Sequence, residues 1–189
     1  MHKKVTPTFF KQHPVACAQQ LIGAEFRWDG CSGRIVETEA YCEKDDPACH
    51  TFFRPSARQF VAEKSAGTAY VYLNYGVHWL FNVLVKGEQA NGFVLLRALE
   101  PMEGLDIIRA RRQRPHDRDL CSGPGRLTHA FGINGETHGE SFLHAPSRGM
   151  RRGDQPIECL AGPRIGISRG QDLAWRFGQA GSRHLSRPF

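Results

Sequence analysis

The chain has 189 residues, of which 40% are hydrophobic and 23% are charged, and it carries a formal net charge of +6. These proportions exclude an intrinsically disordered protein and predict one folded domain over residues 1–189. No stretch is apolar and long enough for a membrane span or a signal peptide, which predicts a cytoplasmic location, with nucleoid association in a bacterium. The positive charge favours a polyanionic partner such as nucleic acid, or an acidic membrane surface.

The six cysteines are scattered and form no C-x-x-C pair, which predicts free thiols in a chain of this length without a secretion signal. They are Cys17, Cys31, Cys42, Cys49, Cys121 and Cys159. The nearest approach to metal-ligand spacing, Cys42-x6-Cys49-His50, fits no common zinc pattern, so we expect no metal site.

The N-terminal part of the chain predicts a helix followed by a hairpin. Apolar residues recur at helical spacing over residues 14–22 and stop at Gly23, which acts as a C-cap. We expect this helix to cover one edge of a sheet. Residues 23–28 then predict a strand, and Asp29-Gly30 is typical of a tight turn between two strands.

The sequence RIVETEAY at residues 34–41 predicts a strand that carries two carboxylates. Alternation places Ile35, Glu37, Glu39 and Tyr41 on one face. The two carboxylates lie about 6.5 Å apart along the backbone, and at that range like charges raise the pKa of one group, which suits a general base near neutral pH. The alternative is an exposed acidic edge that faces solvent or pairs with arginine.

All four tyrosines lie within a span of 35 residues around these carboxylates; they are Tyr41, Tyr70, Tyr72 and Tyr75. Their rings fit either ordinary core packing or a stacking pocket for a planar, hydrogen-bonding ligand such as a nucleobase. His50 closes a polar loop, where a lone histidine is usually solvated. Residues 51–67 predict a partly helical loop.

Residues 69–99 predict three consecutive strands around which the rest of the chain is organised. A polar side chain interrupts an apolar face in each strand; the three are Tyr72, Asn82 and Arg97. Alternation groups Arg97 with Phe93, Leu95 and Leu99. Because buried polar groups cost free energy unless they are paired, these residues predict an internal hydrogen-bond network or a ligand pocket. Tyr75 lies at the first hairpin tip, where it has little to pack against.

The C-terminal half predicts two helices, a basic loop and a short strand. The first helix follows Pro101, with Leu105, Ile108 and Ile107 as its buried stripe and four arginines at 109, 111, 112 and 114. The second begins near Pro124 with Ser122 as its cap, and its N-terminus is a candidate phosphate seat. Residues 147–155 predict a basic loop and residues 163–168 a short strand. The termini, residues 1–8 and 180–189, are expected to be flexible.

Several of these segments together resemble the alkyladenine (3-methyladenine) DNA glycosylase family over residues 9–177. The matching segments are RIVETEAY, YVYLNYG, VLLRALEPMEG and DLCSGPGRL. The resemblance implies an α+β fold, with a curved antiparallel sheet, a protruding β-hairpin and flanking helices. It also implies excision of 3-methyladenine, 7-methylguanine, hypoxanthine and ethenoadenine from double-stranded DNA, without metal or cofactor, by a monomer that leaves an abasic site.

The resemblance further implies a role for each matching residue. Glu39 would be the general base that activates water, with Arg97 close to that water. The residues expected to hold the flipped base are Tyr41, His50, Tyr72, Asn82 and Leu95, of which Asn82 disfavours guanine. The residues expected to contact DNA are Tyr75, as the wedge that fills the gap in the stack, Val77, Arg58, Ser122 and Arg126. No lysine lies near the motif, so we expect a monofunctional hydrolase.

The sequence departs from the family pattern after His50. Gln59 stands where an asparagine is usual, Ala62-Glu63 replaces Met-Phe, and Ser65-Ala66 replaces prolines. We expect these changes to affect substrate range and DNA affinity rather than reaction type. The alternatives are a damaged-DNA-binding protein without catalysis, and a hydrolase of free nucleosides, for which the arginine-rich helix and the tip tyrosine would have no purpose.

Overall fold

The structure is a computed structural model that describes residues 3–153 and 157–189. One antiparallel sheet of nine strands organises this part of the chain. The strands are β1 (Lys3–Lys4), β2 (Glu25–Trp28), β3 (Cys31–Cys42), β4 (Ala69–Asn74), β5 (His78–Lys86), β6 (Asn91–Glu103), β7 (Arg148–Arg152), β8 (Cys159–Gly162) and β9 (Arg176–Gln179). Seven of them follow the order β1-β7-β2-β3-β6-β5-β4, while β9 pairs with β3 and β8. With its flanking helices the molecule is α+β, as predicted.

Five helices lie against this sheet among the described residues. They are α1 (Pro14–Gln20), α2 (His50–Phe53), α3 (Pro55–Glu63), α4 (Leu105–Arg112) and α5 (Pro124–Phe131), and single 3₁₀ turns lie at Pro7–Lys11, Asp117–Asp119, Gly135–Thr137 and Phe142–His144. Residues 51–67 are therefore more helical than predicted. Among the described residues, none of the helices has the length and apolar character that a membrane span requires.

The two hairpins predicted from turn residues are confirmed. Asp29 and Gly30 join β2 to β3 with φ of 45° and 85°, and Tyr75 and Gly76, with φ of 50° and 69°, are followed by Val77 in the turn between β4 and β5. Positive φ at both central residues is the backbone of a type I′ turn, whose twist matches that of paired strands. The second hairpin therefore carries Tyr75 at its tip.

The two faces of the sheet support cores of different size. The larger core contains a cluster of rings from Phe26, Trp28, Phe81, Phe131 and Phe142, with centroids 5.3–6.3 Å apart. On the opposite face, α2 and α3 cover a smaller core around Tyr70, Leu84 and Phe93. The candidate site residues of β3 to β6 that are described below belong to this second face.

A double irregularity between the two central strands changes the predicted alternation. The pairing runs from Ile35 opposite Leu99 to Glu37 opposite Ala98 and then to Thr38 opposite Leu96, so that Val36 and Arg97 are skipped. As a result Ile35 and Leu99 lie in the larger core, whereas Glu37 and Arg97 contact each other on the other face. Grouping Ile35 with the glutamates, and Leu99 with Arg97, was wrong because strict alternation ignores a bulge.

Helix α1 lies over the middle of the sheet and not at its edge. It packs against β3 and β6, with Cys17, Ala18 and Leu21 fully buried, and the Thr38 hydroxyl donates a 2.8 Å hydrogen bond to the Ala18 carbonyl. The prediction of an edge helix was wrong because helical periodicity marks a buried face without saying which strands cover it.

Elements of the C-terminal half differ from their predicted form. Strand β6 continues through Pro101 to Glu103, so that α4 begins only after Gly104, and Ile107 is exposed. Residues 148–152 form β7, between β1 and β2, where a loop was predicted; Asp154 and Gln155 of that predicted loop lie outside the described residues. Residues 163–168 form no strand.

Described residues near both ends of the chain make specific contacts, and the flexibility expected for residues 1–8 and 180–189 stays a prediction. Lys3 and Lys4 pair with β7, and Val5 is buried. Near the C-terminus, the Ser186 N–H donates a 2.6 Å hydrogen bond to Glu37, and the Phe189 ring lies 3.9 Å from the Arg176 guanidinium. The C-terminal tail is therefore attached to the side of the sheet that holds the two glutamates.

Candidate active site

A cavity of about 990 Å³ opens on the face of the sheet opposite the larger core. Its walls come from β3 to β6, from α2, from the N-terminus of α5 and from the loop at residues 165–169. Its inner wall is aromatic and its rim carries arginine.

The inner wall is formed by tyrosine, histidine and phenylalanine rings in close contact. The His50 and Tyr72 ring centroids are 4.4 Å apart, and those of Tyr70 and Phe93 are also 4.4 Å apart. Burial raises the pKa of Tyr72 and of Tyr41, and the carboxylate of Glu39 raises the pKa of Tyr41 further. These phenols are neutral hydrogen-bond donors near pH 7, so the wall suits a planar ligand with polar edges.

His50 belongs to this wall and is mostly buried, not solvated. Its Nδ1 shares a 3.0 Å hydrogen bond with the Tyr70 hydroxyl. Burial, and secondarily the positive charge of Arg54, lower the pKa of His50 to about 4. The imidazole is therefore neutral at physiological pH and behaves as a ring with polar atoms rather than as a cation.

Asn82 and Leu95 face each other across β5 and β6 and both line the cavity. The Asn82 side-chain amide donates to the Tyr70 carbonyl at 3.2 Å and to the Leu80 carbonyl at 3.5 Å. Because its NH₂ group is engaged by the backbone, the orientation of this buried amide is set by the sheet.

Glu39 is fully buried directly behind the cavity wall. Its Oε2 accepts a 2.7 Å hydrogen bond from the Tyr41 hydroxyl, and its Oε1 accepts a 2.7 Å bond from the Ile165 N–H. The Arg97 Nη1 lies 3.3 Å from the same Oε1. Glu39 itself does not line the cavity, but all three of these partners do.

Glu37 holds a second, deeper set of contacts. Its carboxylate accepts hydrogen bonds from the Nε atoms of Arg97 (3.2 Å) and Arg176 (2.7 Å), and from the N–H (2.6 Å) and hydroxyl (2.8 Å) of Ser186. Arg97 therefore bridges the two glutamates. The alternative of an acidic edge was right about arginine pairing and wrong about exposure.

The loop that covers Glu39 was missed by sequence reasoning. Arg164 makes a doubly hydrogen-bonded ion pair with Asp46, at 2.6 and 2.8 Å, and both side chains are fully buried. Its guanidinium also lies 4.7 Å from the Tyr41 ring. The pair fixes residue 165 beside Glu39, although the partners are 118 residues apart and no local pattern links them.

The rim of the cavity is strongly basic. Among the described residues that line the cavity, Arg97 is buried and paired with the two glutamates, no aspartate or glutamate is present, and five further arginines are Arg54, Arg112, Arg114, Arg126 and Arg169. Tyr75, on the hairpin tip, lines the same opening and is 86% exposed. This combination favours a ligand with phosphate groups outside and a planar ring inside.

The structure places four of the residues predicted to contact DNA at different distances from the cavity. Val77 is exposed on the hairpin beside Tyr75 but does not line the cavity, whereas Arg126 does. Ser122 is buried and does not cap α5, whose N-cap is Gly123; its hydroxyl accepts a 3.1 Å hydrogen bond from Arg126. Arg58 is exposed on α3, away from the cavity, and donates to the Thr51 carbonyl at 2.8 Å.

Sequence reasoning also missed ring and charge contributions to the cavity. Phe93, Phe53, Arg54 and Ile165 all line it, beside Tyr70, which the sequence had already placed among the clustered tyrosines. The alternation of β6, which groups Phe93 with Leu95 and Arg97, could have found Phe93. In residues 3–153 and 157–189, no three histidine, cysteine, aspartate or glutamate side chains converge as metal ligands.

The chain is similar over nearly its whole length to known proteins. A family model described as methylpurine-DNA glycosylase matches residues 8–183. The chain is 46% identical over 180 residues to a Nitrosospira multiformis protein named "Putative 3-methyladenine DNA glycosylase", covering 95% of this chain and 92% of the other. Proteins of the same name from Rhodopseudomonas palustris and Agrobacterium fabrum are 45% and 43% identical; each alignment covers 98% of this chain, and 89% and 94% of the respective relative.

The chain therefore belongs to the methylpurine-DNA glycosylase family, which confirms the resemblance indicated by its motifs. It is a DNA N-glycosylase, a hydrolase whose substrate is DNA.

Removing Glu37 should destabilise the fold strongly. We expect Glu37→Ala to lower the free energy of unfolding by about 3–5 kcal/mol, because Arg176 would keep a buried charge without its carboxylate and Arg97 would keep only Glu39. The matched control is Glu103→Ala, which breaks an ion pair with Arg27 whose side chains are 60% and 37% exposed and should cost about 1 kcal/mol or less. Urea denaturation measures the free energy of unfolding of both variants. Equal losses of stability would contradict the stabilising role assigned to the buried Glu37 ion pairs.

His50 should make the protein sensitive to mild acid. Because its pKa is lowered to about 4 in the folded protein from 6.5, the unfolded chain binds a proton that the folded chain excludes. Stability should therefore be complete above about pH 6.5 and fall as the pH drops from there toward 4. We expect His50→Gln to flatten this part of the curve in urea denaturation at several pH values; a slope unchanged from wild type would refute it.

Proposed function

We propose that this enzyme excises alkylated and deaminated purines, including 3-methyladenine, 7-methylguanine, hypoxanthine and ethenoadenine, from double-stranded DNA. The nucleotide is flipped into the cavity, and a water activated by Glu39 hydrolyses the N-glycosidic bond and leaves an abasic site. The observation that carries the proposal is the position of Glu39, which contacts three residues lining a ring-walled cavity with a basic rim.

Flipping is required because the glycosidic bond of a stacked base is out of reach, and unstacking costs a few kcal/mol. An aromatic side chain inserted into the gap offsets part of that cost. Tyr75 suits this role because it is 86% exposed at the tip of a two-stranded hairpin, with Val77 exposed beside it. In this proposal both side chains enter the minor groove.

The flipped base then stacks within the ring-lined part of the cavity. Tyr41, His50 and Tyr72 supply faces and polar edges, and Leu95 supplies an apolar surface beside them. Asn82 disfavours guanine, whose exocyclic amine would meet an amide already held by the backbone. Neutral rings are suited to this task because base stacking needs a dehydrated surface.

Hydrolysis passes through a sugar that resembles an oxocarbenium ion. A buried carboxylate stabilises that positive charge and accepts a proton from the attacking water. A carboxylate offers about four acceptor positions, and Tyr41, Ile165 and Arg97 approach Glu39 from three directions. We propose that the remaining position accepts the attacking water, with the Arg97 guanidinium beside it.

The rim arginines distinguish DNA from a free nucleoside as the substrate. Arg126 and the other lining arginines provide charge for several phosphates, which a nucleoside lacks. We propose that Arg58 contacts the backbone further along the duplex and that Ser122 acts by holding Arg126. With no lysine among the described residues of the cavity lining, the enzyme is proposed to be monofunctional. We also propose that it acts as a monomer.

Excision from methylated duplex DNA tests the catalytic assignment. We expect the purified wild type to release 3-methyladenine without added metal and to leave abasic sites. Glu39→Gln should retain DNA binding and lose at least ~100-fold in single-turnover rate, the usual scale for loss of a general base. Glu103→Gln, at an exposed glutamate at the end of the same sheet, is the matched control and should keep full activity.

No release by the wild type at high enzyme concentration would exclude catalysis and favour a damage-binding protein. Full activity of Glu39→Gln would mean that another group is the base.

Replacing the tip ring tests the wedge. We expect Tyr75→Ala to abolish most of the fluorescence change of a reporter base next to the lesion, because nothing would fill the vacated stack. Tyr75→Phe keeps the ring and should behave like wild type. If the two variants respond alike, the ring of Tyr75 is not the wedge.

A further inference from the structure

Arg54 brings a positive charge to the ring-lined part of the cavity. It lies between α2 and α3, is half-buried and lines the cavity. Its guanidinium carbon is 5.5 Å from the centre of the Tyr72 ring and 5.6 Å from that of Phe53. The charge is therefore adjacent to one of the rings proposed to hold the base.

No carboxylate within the described residues forms an ion pair with Arg54. The two glutamates nearest the cavity are engaged by Arg97 and Arg176 instead. The positive charge of Arg54 affects two neighbouring rings. It lowers the pKa of His50, and it partly offsets the increase that burial causes in the pKa of Tyr70.

Bases that leave a nucleotide differ in the charge that they develop. When the C1′–N9 bond of a deoxyinosine breaks, its electron pair goes to N9, so that hypoxanthine departs with negative charge until a proton arrives. A 7-methylguanine or 3-methyladenine nucleotide already carries a positive charge on its base, and the same electron pair makes that base neutral. A fixed cation beside the base therefore stabilises the departure of hypoxanthine. It has no negative charge to stabilise when 7-methylguanine or 3-methyladenine departs.

We propose that Arg54 is the residue that adapts this site to neutral lesions, of which hypoxanthine is the simplest, by stabilising negative charge on the departing base. This inference rests on the proposed function, because it assumes that a flipped purine occupies the cavity. The same charge repels a purine that is already cationic, so Arg54 shifts the balance between the two lesion classes.

The test compares two lesions in one duplex sequence, with hypoxanthine or 7-methylguanine at the same position. Single-turnover rates at saturating enzyme separate the chemical step from DNA affinity. We expect Arg54→Met to lower the hypoxanthine rate about 10-fold or more, and to change the 7-methylguanine rate by less than about 3-fold. Arg54→Lys keeps the charge and should retain most of the hypoxanthine rate.

Arg126→Met is the matched control, because Arg126 also lines the cavity but pairs with Ser122 and Asp119 near the start of α5. It should weaken binding of both duplexes alike and leave the ratio of the two rates unchanged. If thermal melting shows that Arg54→Met is poorly folded, Arg54→Gln removes the same charge and is measured in its place.

The proposal is overturned if both rates fall equally, if neither changes, or if the 7-methylguanine rate falls more. It is also overturned if the wild type excises 7-methylguanine and leaves hypoxanthine untouched, in which case the proposed glycosylase function still stands. Release of neither base, nor of 3-methyladenine, would instead remove the proposed function itself.

Discussion

The site depends on a buried cluster of opposite charges at the centre of the sheet. Glu37 and Glu39 have no exposed surface, and ionised carboxylates without partners would be very costly there. Arg97 contacts both and Arg176 contacts the deeper one, so that positive charge and hydrogen bonds replace the lost water. Removing one member would leave the others buried and unpaired, which ties the stability of the fold to the geometry of the site.

This cluster joins parts of the chain that are far apart in sequence. Glu39 is held by the N–H of Ile165, 126 residues away, and Glu37 by Ser186, 149 residues away. The loop at residues 163–169 and the tail at residues 180–189 therefore complete the surroundings of the two glutamates, although neither contains a strand. Both depend on buried arginines, Arg164 and Arg176, as their anchors.

The cavity separates two requirements that oppose each other. A base stacks best on dehydrated, neutral rings, whereas a DNA backbone is bound through positive charge that acts over longer distances. The inner wall meets the first requirement, since burial keeps His50 and Tyr72 uncharged near pH 7. The rim meets the second with arginines such as Arg126 and Arg169. Arg54 lies where the two regions meet, beside the Tyr72 ring and on the cavity lining.

The sequence by itself determined the local features of this protein. Alternation and turn residues identify the β4–β6 strands and the hairpin with Tyr75 at its tip, because strand faces and type I′ turns are properties of a few adjacent residues. The motif residues likewise identify the family. Only the tertiary structure decided which way Glu37 and Arg97 point, because a bulge is a property of two paired strands. It also decided what covers Glu39 and that Arg54 reaches the cavity, because long-range packing, and not local sequence, brings these groups together.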